Sequence, residues 1–180
     1  MNKPLAFLLP FLLLGCASSP APHAAAPEAT RVQADGAMTF ILVRHAEKVA
    51  DGSDDPPLTE AGRMRAQALA TRLSTSPITA VYTTPFKRTR QTATPTAQEH
   101  GLPLITYDAK QPADDFGTQL QSRHGGQTVL VVGHSNTIPG IAAALCRCEV
   151  APMSEAEYDR FTTVHIAADG SAALQEAKQH

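Results

Sequence analysis

Thr39-Phe40-Ile41-Leu42-Val43, followed at once by Arg44-His45, is the stretch on which the fold turns. Its residues are apolar or β-branched throughout, without the polar alternation of a half-solvated strand. Such a run describes a strand buried on both faces, the kind found in parallel sheets covered by helices on both sides. Thr128-Val129-Leu130-Val131-Val132 repeats the pattern, and Ala80-Val81-Tyr82-Thr83 is a shorter version of it.

Helical patterns lie between these runs. Thr59 is placed to cap a helix with Glu60 in its first turn, and Ala61, Met64, Ala68, Leu69 and Leu73 follow at helical spacing. A second helix is expected from Pro85 to Glu99, with Pro95 kinking or breaking it. A third is expected over about Phe116–Arg123, before Gly125-Gly126, and a fourth over about Pro139–Leu145. Arg160–Ala167 and Ala172–Leu174 read as a hairpin through Asp169-Gly170. Strand alternating with helix predicts an α/β fold, a three-layer α/β/α sandwich around a mostly parallel sheet.

Working outward, the chain has 180 residues, a formal charge of -2 and a pI near 6.4. That balance argues against nucleic acid as a partner bound through bulk charge. Residues 38–178 suffice for one domain with its own core. Ahead of it, Lys3 precedes an apolar run, Leu5–Leu14, too short to span a bilayer and suited to a signal peptide over residues 1–15. The run ends in Leu13-Leu14-Gly15-Cys16, which resembles a bacterial lipobox. Lipidation at Cys16 would anchor the chain to a membrane. Residues 16–37, rich in Ala and Pro, then read as a disordered tether. This implies a cell-envelope protein facing the periplasm. Ala17 after the Cys leans towards the outer membrane.

In open α/β sheets ligands bind beyond the carboxyl ends of the strands. Arg44-His45-Ala46-Glu47-Lys48 follows the first buried run, Thr84-Pro85-Phe86-Lys87-Arg88-Thr89 follows the Tyr82 run, and Gly133-His134-Ser135-Asn136 follows the Val129 run. Two His and two Arg therefore arrive at one sheet edge. Arg suits bidentate contact with phosphate oxygens, and His serves as nucleophile or acid near neutral pH. Four such groups repel one another without an anion between them, and a phosphoryl group fits. The loop after Gly133, opening a helix near Ile138, would add backbone N–H donors.

These motifs, with Leu58-Thr59-Glu60-Ala61-Gly62 and Thr84-Pro85-x-x-Arg88-Thr89-x-Gln91-Thr92, resemble the histidine phosphatase superfamily, which includes phosphoglycerate mutases. The resemblance spans about Thr39–Ala168. It implies a phosphoglycerate mutase-like fold and a phosphatase acting on phosphomonoesters. His45 would be the nucleophile, forming a phosphohistidine. Arg44, Arg88 and His134 would hold the phosphoryl oxygens. Ser135 and Asn136 would donate to the phosphate or orient His134. Thr84 and Gln91 would order the loop carrying Arg88. No metal and no cofactor are implied, since cationic side chains supply the charge.

The general acid departs from the family pattern, because no Glu lies between Glu99 and Glu149. The candidates are Asp108, Asp114 and Asp115, with Asp108 favoured because it follows the short Leu104–Tyr107 segment. Glu47 and Lys48 read equally as a solvated pair or as substrate contacts. Asp51–Asp55 reads as an exposed loop, and His100, His124, His165 and His180 as structural or exposed. Cys146 and Cys148 are expected as unpaired thiols near a helix end. Envelope location favours a phosphorylated small molecule or an envelope glycan as partner. The competing class is a non-catalytic envelope lipoprotein that binds phosphorylated glycans.

Overall fold

The computed structural model describes Met1 and residues 36–179. The signal peptide, Cys16 and most of the tether lie outside the described residues.

Strand and helix alternate as β1 Met38–Arg44, α1 Glu60–Leu73, β2 Ile78–Thr83, α2 Lys87–Glu99, β3 Leu104–Thr106, α3 Ala113–Arg123, β4 Thr128–Gly133 and α4 Ile138–Cys146. Two strands then close the chain, β5 Arg160–Ile166 and β6 Ala172–Lys178. All six strands form one sheet, ordered β3-β2-β4-β1-β5-β6. β3, β2, β4 and β1 run parallel, while β5 and β6 add an antiparallel hairpin beside β1.

The continuous apolar character of β1 follows from its two covered faces. Phe40 and Leu42 join one core, with Phe116 and Leu120 of α3 and Ile141 and Leu145 of α4. Ile41 and Val43 join the other, with Leu69 and Leu73 of α1 and Ala93 and Ala97 of α2. Successive strand residues point to opposite faces, so both sets must be apolar. The result is a three-layer α/β/α sandwich around a mainly parallel sheet. Truncating a fully buried side chain such as Phe40 would cost about 3–5 kcal/mol.

Several local details differ from the sequence expectations. Pro95 does not break α2, which runs through it. Thr92, Ala93, Thr96 and Ala97 around it are buried, and this packing offsets the missing amide bond. Helix α3 starts at Ala113, three residues earlier than expected, with Asp114 and Asp115 in its first turn, where the helix dipole favours acids. Strand β6 continues to Lys178, paired with β5 throughout.

Cys146 and Cys148 are bonded to each other, correcting the expectation of unpaired thiols. The cause is local. Arg147 takes a left-handed conformation, φ 53°, just past α4, which folds the chain back and brings the two Cα atoms to 5.2 Å.

The topology also places a crevice. β1 and β4 are neighbours. The chain leaves β1 for α1 on one face and leaves β4 for α4 on the other. Ligands bind in α/β sheets where crossovers diverge in this way. His45 follows the end of β1, and His134 follows the end of β4.

Candidate active site

Register sets the centre of the site. Arg44 lies beside Gly133 across the β1–β4 ladder, and His45 N donates to the Gly133 carbonyl at 2.9 Å. The His45 and His134 rings consequently meet edge to face, centroids 5.5 Å apart. Gly133 cannot carry a side chain here. A Cβ would sit 2.6 Å from the Tyr107 hydroxyl and 2.8 Å from Thr137 Oγ1. Its absence lets β4 end close beneath α4, where His134 N donates to Thr137 Oγ1 at 2.9 Å.

Arg88 enters from the first turn of α2, its guanidinium 4.3 Å above the Phe86 ring, and Phe86 in turn packs edge-on against His134. A cleft of about 500 Å³ opens over these groups. His45, His134, Arg88, Ser135 and Asn136 line it, together with Lys48, Lys110 and Glu155. The structure thus brings His45, Arg88, His134, Ser135 and Asn136 together.

The supporting shell is built from the same motifs. Thr92 Oγ1 accepts from Ala46 N at 2.9 Å and pins the turn after His45. Gln91 Oε1 accepts from Leu58 N at 2.7 Å, so Gln91 orders the chain entering α1, which corrects the expectation that it orders the loop of Arg88. Thr84 Oγ1 is bonded to His134 Nε2 at 3.0 Å and to Thr89 Oγ1 at 2.7 Å, so it orients His134. Gly62 is required at the start of α1, where a Cβ would fall 2.2 Å from the Glu47 carbonyl oxygen. Glu47 accepts from Arg65 with both carboxylate oxygens, while Lys48 alone of that pair faces the cleft. The acidic segment is more than an exposed loop. Asp55 Oδ1 accepts from Lys87 N at 2.7 Å, capping α2, and lies 4.0 Å from Arg88.

Both histidines are neutral at pH 7. Burial is the main cause of the fall of the His45 pKa to about 4, reinforced by Arg44, His134 and Arg88 and opposed by its bond to the Ala46 carbonyl. Burial likewise lowers His134 to about 4, helped by Arg88 and Arg44. This resolves the repulsion foreseen for four converging cations, since the imidazoles give up their charge. His45 Nδ1 lies 2.8 Å from the Ala46 carbonyl oxygen. A carbonyl only accepts, so Nδ1 carries the hydrogen and Nε2 keeps a free lone pair.

Arg44 is 1% exposed and lies behind Glu155, outside the lining of the cleft. Its Nη1 donates to the carbonyls of Ser154, Glu155 and Glu157, and its Nη2 to Glu155 Oε2 at 2.8 Å. The guanidinium also stacks 4.2 Å from the Tyr158 ring. Arg44 therefore holds the loop between α4 and β5 against the site.

The acid expected at Asp108 is elsewhere. Asp108 Oδ1 accepts from Lys110 N, and the residue lines an adjoining cleft of about 170 Å³ with Tyr107, Gln111 and Gly140. Asp114 and Asp115 are exposed on α3. The carboxylate that lines the His45 cleft is Glu155, which sequence reasoning missed. It sits on an irregular loop with no motif. Its role follows from the tertiary contact with Arg44, which the sequence does not display.

Comparison with known proteins agrees with this geometry. The family model described as Histidine phosphatase superfamily (branch 1) matches residues 40–111, which include Arg44, His45 and Arg88. Phosphoserine phosphatase 1 of Hydrogenobacter thermophilus is 39% identical over 77 residues, 39% of this chain and 36% of that protein. The probable phosphoglycerate mutase GpmB of Citrobacter koseri is 38% identical over 93 residues, 48% of this chain and 42% of that protein. The chain thus spans about two fifths of the length of these curated relatives. Among solved structures, the protein histidine phosphatase SixA complexed with tungstate superposes with a TM-score of 0.64 at 21% identity, covering 79% of this chain and 97% of that one. With its strand-end histidines and arginines in one cleft, the chain is similar to the histidine phosphatase superfamily, branch 1, over residues 40–111, which carry Arg44, His45 and Arg88.

Proposed function

We propose that the protein is an extracytoplasmic phosphatase that hydrolyses phosphomonoesters through a phosphohistidine on His45. One observation carries the reading. His45 is buried and neutral, and its Nδ1 is fixed on the Ala46 carbonyl, so an unprotonated Nε2 is available at the floor of a cationic cleft. In the first half-reaction Nε2 attacks phosphorus and the ester oxygen leaves. Arg88 and His134 hold the equatorial oxygens, with Ser135 and Asn136 as further donors. The negative charge of the phosphoryl group draws a proton onto His134, which then binds as a cation. In the second half-reaction water attacks phosphorus, the N–P bond breaks and phosphate is released. Arg44 joins the phosphoryl group only on giving up Glu155. No step needs a metal or a cofactor.

The location rests on residues 1–16, where a basic start, an apolar run and Gly15-Cys16 fit a lipidated leader. The Cys146–Cys148 bond supports an oxidising compartment such as the periplasm. A membrane-anchored phosphatase in that compartment would meet phosphorylated small molecules or envelope glycans. The test is phosphate release from an aryl phosphate in the presence of a chelator, with His45→Ala measured beside the wild type. The expected result is turnover in the wild type and none in the variant. A wild type that binds phosphate yet turns over no ester would instead make the protein a binder of phosphorylated glycans.

A further inference from the structure

Glu155 is the one carboxylate among the described residues that line the His45 cleft. Its Oε2 accepts from Arg44 Nη2 at 2.8 Å and its Oε1 accepts from the Ser135 hydroxyl. Two groups expected on phosphoryl oxygens hold a carboxylate in their place. The Glu155 side chain is 79% exposed, so it reaches the site from the open side, whereas His45 lies on the floor at 3% exposure. The backbone beneath Glu155 is anchored separately, by the Arg44 Nη1 bonds to three loop carbonyls. The carboxylate can therefore swing off Nη2 while the loop stays in place.

We propose that Glu155 is the proton donor to the leaving oxygen, an assignment that rests on the phosphohistidine reading above. In-line displacement by a buried nucleophile puts the leaving oxygen on the open side of phosphorus, where Glu155 stands. An incoming phosphomonoester dianion takes over Arg44 Nη2 and Ser135 Oγ. The displaced carboxylate then loses its cation and gains an anionic neighbour, both of which favour its protonated form, and it takes a proton from solvent. As the His45 Nε2–P bond forms and the P–O ester bond breaks, that proton passes to the leaving oxygen. The alcohol departs neutral and Glu155 is again a carboxylate. In the second half-reaction Glu155 accepts a proton from the attacking water while the N–P bond breaks and its electron pair returns to His45. Protons and electrons balance without a further reactant.

The test uses the dependence on leaving group. Glu155→Gln keeps the size of the side chain and its acceptor oxygen but cannot release a proton in this way. Nitrophenolate leaves unassisted and an alkoxide does not. For the variant, kcat on an alkyl phosphate such as glycerol phosphate should fall about 100-fold or more, and kcat on 4-nitrophenyl phosphate less than about 5-fold. An equal loss on both esters would mean that Glu155 only positions Arg44, and would overturn the assignment. Unchanged turnover with tighter inhibition by inorganic phosphate would make Glu155 a mere occupant of the anion site, and overturns it as well. The wild-type pH profile gives a check that needs no variant. Its alkaline limb should appear for the alkyl ester and be absent for the nitrophenyl ester, and matching limbs on both would contradict the proposal. A wild type inert to both esters would remove the phosphatase reading first, an outcome distinct from any of these.

Discussion

The two walls of the cleft are built by different means. One wall comes from strand ends. His45 and His134 each stand one residue past a strand, tied by the His45–Gly133 bond and by Thr92 and Thr137. The other wall is the loop from Arg147 to Asp159, which has no helix or strand. Two arginines hold that loop by its carbonyls: Arg44 at Ser154, Glu155 and Glu157, and Arg160 at Ala151 and Pro152. Backbone register fixes the first wall and side chains fix the second. The first therefore suits groups that must not move, as the proposed nucleophile and phosphoryl ligands must not. The second suits a group that must move, as the proposed proton donor Glu155 must. Arg44 belongs to both, since it extends from β1 and clamps the loop.

The sharpest way to break this contrast is at the fixed wall. Arg88→Ala removes a cation aimed at the site and should lower kcat on an aryl phosphate by at least about 100-fold, roughly 3 kcal/mol, with folding retained. Near wild-type kcat would remove Arg88 from the machinery. Arg44→Ala attacks the joint between the walls. It strips three carbonyls and Glu155 of their donor, and should lower stability by about 2–3 kcal/mol in a urea titration with an unchanged slope. Arg44→Lys should recover little of this, because one ammonium cannot reproduce the fork.

The neutral histidines offer a subtler test. By NMR the His45 and His134 rings should titrate near 4, where an ordinary imidazole titrates near 6.5. The unfolded chain binds these protons below about 6.5 and the folded one only below about 4. Stability from this source is therefore complete above pH 6.5 and is lost as pH falls towards 4. Rings titrating near 6.5 would show that the cleft is wetter than its burial implies. The smallest effect is expected at Asp108, which lines the adjoining cleft. Asp108→Asn should change kcat on an alkyl phosphate less than about threefold, the scale of a surface substitution.

The fixed wall was also the wall legible in the sequence. Strands buried on both faces announce themselves by unbroken apolar runs, and the residues that follow them fall at one sheet edge by topology alone. Hence Arg44, His45, Arg88 and His134 were legible before any coordinates. The loop wall was not, because its placement depends on where one guanidinium points. Arg44 was expected in the cleft, and its burial towards Ser154–Glu157 is a tertiary fact. Asp108 was favoured for following a short strand. Strand β3 ends at the sheet's outer position, however, and delivers Asp108 to the neighbouring cleft. The break allowed for at Pro95 and the unpaired state expected of Cys146 and Cys148 were misread for a related reason. Local penalties were weighed there without the packing of α2 or the left-handed turn at Arg147 that outweigh them.

The covalent intermediate on His45 is the step on which the other assigned roles depend. The most direct measurement is rapid quench of the full-length protein with an aryl phosphate into alkali, where phosphohistidine survives, followed by peptide mass spectrometry. One phosphoryl group is expected on the peptide carrying His45, formed within the first turnover and absent from His45→Ala. Steady turnover with no adduct on that peptide, or with the phosphoryl group on another residue, would contradict it.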